Sequence, residues 1–252
     1  MPRMPLTDLL TLFPSRPDSW LTEERPFSSF ASRSLVPAGY VWPDVEAPPG
    51  GLRPIVLVQS SGAMGKTSAA KAMAAELKAP LVDLSKMRVG DDSLTGLIAK
   101  ALGWVGAAEF TTELRTGQRT LFLDGLDEAQ LLVGKESYLA FLANVLELVD
   151  GAGPGGQVIA FGRHDAIETA YLAILDSGLE SEAIQLMPLS ADQAFQLIDE
   201  NLDSDPSYEI HRQHREPWQA LRDAHFLDLG SAILCRQLTE DDWDLVSDFL
   251  GY

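Results

Sequence analysis

The sequence predicts an α/β fold in which a parallel sheet carries helices on both faces. Three observations predict it. The runs "IVLVQ" (55–59), "TLFLD" (120–124) and "QVIAF" (157–161) are almost wholly apolar, as strands buried on both faces must be. Stretches with helical periodicity lie between such runs. A glycine-containing turn and an acidic turn follow the first two, at the carboxyl edge where sheets of this kind hold ligands.

Taken in order, the elements begin with a leader. Ten of the 15 prolines lie at or before Pro54, so residues 1–50 read as irregular chain with one short amphipathic helix near Leu6 to Phe13. "EAPPGGLRP" (46–54) reads as a linker into the main domain, which opens with the strand "IVLVQ". After the turn that follows, Ala70, Met73, Ala74 and Leu77 recur at helical spacing. "PLVDLS" (80–85) is a short second strand, "TLFLD" a third and "QVIAF" a fourth. Between the last two, Tyr138, Phe141, Leu142, Val145, Leu148 and Val149 form an apolar stripe of period 3.6. "AIQLM" (183–187) is the fifth strand. Ser190 and Gln193 then make an S-x-x-Q capping box, opening a helix with Ala194, Leu197 and Ile198 inward. Beyond residue 200 the chain is acidic and reads as helical, with Trp218, Phe226, Leu229 and Ile233 inward. The expected organisation is a leader (1–50), a core (51–200) and an acidic helical segment (201–252) forming part of a lid.

Bulk properties narrow the function. With 19 basic against 37 acidic residues the net charge is -18, which repels a phosphate backbone, so nucleic acid is not an expected partner. Cys235 stands alone, which excludes a disulfide framework and a thiolate metal site. His211 and His214 have H-x-x-H spacing without a third ligand, and read as a solvated helix face. No apolar run approaches the roughly 20 residues of a membrane helix, and Pro14 and charged residues break any signal-peptide core. A soluble, cytoplasmic chain with no membrane partner is expected.

The turn after the first core strand carries the chemistry. "SSGAMGKT" (60–67) fits the phosphate-binding pattern G-x-x-x-x-G-K-[ST] except at Ser60, which is tolerable where φ stays negative. Backbone N–H groups at a helix start point at an anion, so Ser60, Ser61, Gly62, Ala63, Met64, Gly65, Lys66, Thr67 and Ser68 are the expected nucleotide-binding residues. In that arrangement Lys66 reaches the β- and γ-phosphates and the Thr67 hydroxyl ligates Mg²⁺. "TLFLDGLDEA" places Asp124 at a strand end, where its carboxylate meets the same Mg²⁺. Asp127 or Glu128, one turn on, can orient or deprotonate an attacking water. Together these motifs specify the three-layer P-loop NTPase fold.

The strand ending in "DGLDE" resembles the extended Walker B box of the NACHT branch of the STAND class of P-loop ATPases, which are relatives of the AAA+ proteins. "VIAFGRHDAIE" is similar to the family's sensor-1 strand. The resemblance gives Arg163 the role of reading the γ-phosphate; the alternative is a surface arginine paired with Asp165 or Glu168. "AIQLMPLSADQAFQLI" resembles the strand and helix that commonly follow, so the likeness spans about residues 51 to 200. It implies an ATP-hydrolysing switch with nucleotide-dependent self-association or protein partners in signalling or defence. ATP is favoured over GTP by the resemblance, and no N-K-x-D element for guanine is found. In related ATPases the base packs on the segment before the first strand, so "GYVWP" (39–43) offers Tyr40, Val41 or Trp42 for that pocket, or else anchors the leader. The winged-helix and repeat domains of the family are not recognisable, so the chain reads as a fragment or a minimal member. A nucleotide-binding scaffold with negligible turnover is the alternative from another functional class.

Overall fold

Five parallel strands make up most of a seven-stranded sheet: β3 (Ile55–Gln59), β4 (Leu81–Asp83), β5 (Leu121–Asp124), β6 (Val158–Gly162) and β7 (Ser181–Leu186). The computed structural model describes residues 1–13, 36, 39–62, 64–153, 155 and 157–213. Two short strands, β1 (Arg3–Pro5) and β2 (Asp44–Glu46), extend one side antiparallel, giving the order β1-β2-β7-β3-β6-β5-β4. The helices are α1 (Leu6–Leu10), α2 (Lys66–Glu76), α3 (Ser93–Arg115), α4 (Leu126–Leu132), α5 (Lys135–Leu148), α6 (His164–Ser177), α7 (Ala191–Asn201) and α8 (Glu209–Gln213). This mostly parallel sheet between helices is the P-loop NTPase fold expected.

Strand alternation sorts the core into two layers. Ile55, Leu57, Leu121, Leu123, Val158 and Ala160 face one side, where α3, α5 and α6 cover them through Phe110, Phe141, Val145 and Ile174. Val56, Val58, Phe122, Ile159 and Phe161 face the other, under α1 and α2. The stripe of α5 and the inward residues of α2 and α7 are all buried, as the periodicity predicts. Ser190 also forms the full capping box with Gln193.

One topological fact positions everything that follows. β6 is threaded between β3 and β5 although it comes last of the three in sequence. Gln59 pairs with Gly162, Asp124 with Phe161, and Asp83 with Asp124, so four strand ends reach the same edge side by side. The turn after β3 and the acidic tip of β5 stand one strand apart, roughly 10 Å at the usual spacing.

The leader departs from the expected irregular chain. β1 and β2 are each three residues long, too short for alternation to register in sequence, and prolines border both. Tertiary packing makes them: Leu6, Leu9, Leu10 and Phe13 are buried against Val45, Val56 and Leu186. Pro5 sits on the outermost strand, where a missing N–H is least costly. Helix α3 carries no single stripe, because Gly103 (φ 72°, ψ 169°) kinks it and shifts the phase of its apolar face. Its first turn is capped from another helix, Leu94 and Thr95 donating their N–H groups to the Asn144 Oδ1. The inward residues expected beyond 213, and His214 and Cys235, lie outside the described residues. Among the described residues no helix is long and apolar enough to cross a membrane.

Candidate functional site

The loop after β3 answers the question posed by Ser60. Ser60 is buried, and among the described non-glycine residues only Lys78 and Asp92 have positive φ, so serine fits its backbone without strain. The left-handed residue is Gly65 (φ 76°), which turns the chain into α2. No side chain caps that helix start and no acidic residue occupies its first turn, so its leading N–H groups are open to an anion. Ala63 lies outside the described residues. Lys66 folds back over the loop, its Nζ donating to the carbonyl oxygens of Ser61 (2.9 Å) and Ser60 (3.4 Å). Burial lowers the Lys66 pKa, offset in part by the Asp127 charge.

Across the edge, the Thr67 side chain comes close enough to the Asp124 carboxylate to favour its charged form. The two residues expected to share a metal therefore meet, although 57 positions separate them. Asp124 is 4% exposed. Burial pushes its pKa up to about 6, against the pull of the nearby Thr67 side chain, with the Asp83 and Glu128 charges adding to the rise. A buried carboxylate among like charges is a place where a cation is stabilising. Among the described residues no group of three or more His, Cys, Asp or Glu could hold a metal ion. One carboxylate and one hydroxyl nevertheless suit Mg²⁺, which takes few protein oxygens and completes its shell with phosphates and water.

Gly125 (φ 90°) starts α4 and swings Asp127 and Glu128 toward the loop. Their environments differ. Asp127 is buried, and its carboxylate accepts the Arg163 backbone N–H (3.2 Å) and pairs with Arg163 Nε (2.9 Å). Glu128 stands exposed at the mouth. Partial desolvation raises its pKa, with the neighbouring Asp127 carboxylate adding to the rise. Arg163 follows β6 and so emerges between the loop and the acidic turn. Its guanidinium carbon lies 3.6 Å from where a Cβ on Gly62 would sit. The arginine thus pairs with Asp127, not with Asp165 or Glu168.

On the far side of the loop a cleft of about 210 Å³ opens between Tyr40, Val41, Met64, Ser68, Leu197 and Tyr208. Tyr40 and Val41 line it; Trp42 instead packs edge-on against Tyr40, with ring centroids 5.1 Å apart, and joins the core. The Tyr40 hydroxyl is buried with no hydrogen-bond partner among the described residues, and burial raises its pKa.

No family model matches this sequence, and no curated protein matches it. Solved structures similar to it include the FIGL-1 AAA domain in complex with ADP, 14% identical with a TM-score of 0.41, over 78% of this chain and 72% of that one. Another is the Thermotoga maritima RuvB Holliday junction branch migration motor, 14% identical with a TM-score of 0.36, over 78% of this chain. This chain spans 61% of the length of that motor chain.

Sequence reasoning missed two parts of the site. Asp83 ends β4 beside Asp124, its carboxylate accepting from Ser85 and pairing with Lys86 Nζ at 3.0 Å. A strand of three residues ending in aspartate was the available signal. The distal wall of the cleft, Leu197, Asn201 and Tyr208, carried none, because only folding brings it to Gly39.

Proposed function

We propose that this chain is a Mg²⁺-dependent, ATP-binding and ATP-hydrolysing switch domain of the NACHT/STAND type. The observation that carries the reading is the approach of Thr67 to Asp124, which brings the helix start of the phosphate loop to the acidic strand tip, with Lys66 and Arg163 alongside. The core is taken as residues 51–200, with the leader folded onto it and the acidic segment 201–252 as a partial lid.

In this reading the base enters the cleft beside Tyr40 and Val41, and the phosphates lie along the N–H groups of residues 60 to 68. Thr67 and Asp124 would hold Mg²⁺, which would neutralise phosphate charge. Lys66 exchanges its loop carbonyls for phosphate oxygens, so its charge is available without a large rearrangement. Glu128, exposed and of raised pKa, orients the attacking water and accepts its proton. Arg163 reads the γ-phosphate. ATP over GTP, self-association and a signalling or defence role rest on the resemblance of the DGLDE box.

Binding of fluorescent ATP with and without Mg²⁺ tests the site. Tight binding that needs Mg²⁺ and is lost in Lys66→Ala is expected; equal binding by the variant overturns the reading. Single-turnover phosphate release, lost in Glu128→Gln, is expected of an enzyme. Equal background release from both proteins would leave a nucleotide-binding scaffold.

A further inference from the structure

We infer that Asp127 is a positioning residue for Arg163, and that Glu128 alone of the acidic pair serves the attacking water. The inference rests on the nucleotide reading above and deepens it by dividing a task that the motif leaves to either carboxylate.

Direction along the site comes first. The cleft touches the loop at Met64, Gly65 and Ser68, whereas the Lys66 ammonium lies at the carbonyls of Ser60 and Ser61. A nucleotide with its base in the cleft therefore ends, at its last phosphate, near Lys66 and Gly62. The Arg163 guanidinium stands over that end, its Cζ, Nη2 and Nη1 at 3.6, 3.7 and 3.8 Å from a Cβ built on Gly62.

The second point is how the guanidinium is held. Asp127 pairs with Nε at 2.9 Å and also accepts the backbone N–H of the same residue at 3.2 Å. That two-point hold occupies the inner edge of the arginine. Its Nη atoms, which have no partner among the described residues, are left over Gly62. The arginine side chain is 62% exposed and would otherwise sample many rotamers; the Asp127 side chain is 11% exposed and supplies the fixed end. An anchored fork loses less freedom when it meets a phosphate. Asp127 is thereby committed, whereas Glu128 is not paired with a cation and faces the mouth.

The test is the preference for a third phosphate, read as the ratio of Kd for ADP to Kd for ATPγS, both with Mg²⁺. Asp127→Asn is the main variant, since it keeps the shape and one acceptor; Asp127→Glu is the second, and thermal melting checks that each is folded. Both Arg163→Ala and Asp127→Asn are expected to lower the ratio about tenfold, and the double variant to fall no further than Arg163→Ala. Glu128→Gln is expected to keep the ratio while losing single-turnover hydrolysis. An unchanged ratio in Asp127→Asn, or an Asp127→Asn loss that persists in full without Arg163, overturns the inference while the nucleotide site stands. A wild-type chain that binds neither nucleotide overturns both.

Discussion

Asp124 is a carboxylate whose charge the folded chain resists. Its pKa rises from 3.8 to about 6, so the folded form binds a proton that the unfolded form has already released across that interval. The favourable contribution is therefore complete below pH 3.8 and is lost as pH rises through 6. Asp124→Asn should accordingly raise the stability of the ligand-free protein by on the order of 3 kcal/mol at pH 7.5. The gap should nearly vanish at pH 4, where the wild-type residue is protonated too; urea melts at the two pH values check it. The same proton competes with a divalent ion. Mg²⁺-dependent nucleotide binding should weaken below pH 6 by about tenfold per pH unit, and Asp124→Asn should abolish the Mg²⁺ effect, as titration calorimetry would show. Residue types and spacing made Thr67, Asp124 and Glu128 legible, because the motif states their chemistry locally. The pairing of Asp127 with Arg163 was not legible. It depends on β6 lying next to β5, which strand order alone decides.

At the scale of the element, the turn between β5 and α4 leaves little room for a side chain. Gly125 has φ 90°, and a Cβ there would lie 3.1 Å from Glu128 Oε2 and 3.3 Å from the Ser85 backbone nitrogen. The side chain can yield; the backbone cannot. Gly151 provides a control, with φ 74° and open space around it. Gly125→Ala should cost about 1–3 kcal/mol more than the strain alone exacts from Gly151→Ala, and should also slow single-turnover hydrolysis by moving Glu128. Equal melting temperatures for the two variants would show that the contact is harmless. The same turn explains why sequence reading succeeded for β3, β5 and β6 within a residue or so. Buried parallel strands carry unbroken apolar runs, and a glycine marks where each helix can start. It gave no separate account of α3, whose kink at Gly103 leaves Trp104 82% and Val105 75% exposed at mid-helix.

Across the whole molecule, the chain's first segment is part of the sheet's architecture. Leu9 is 2% exposed between α1 and the sheet, so Leu9→Ala should destabilise by about 2–5 kcal/mol, a large share of an ordinary folding margin. A denaturant midpoint unmoved by this change would mean that the leader is dispensable. That role escaped the sequence reading because three-residue strands acquire their partners only from elements far along the chain. A last consequence concerns the clasp behind the cleft. Asn201 donates from Nδ2 to the Gly39 carbonyl, and Gln193 to that of Trp42, tying the approach to β2 onto α7. Peeling β1 and β2 from the edge strains that tie, and anything seated between its two halves makes peeling costlier. Amide hydrogens on those outer strands, remote from any phosphate, should therefore exchange more slowly once the cavity is filled.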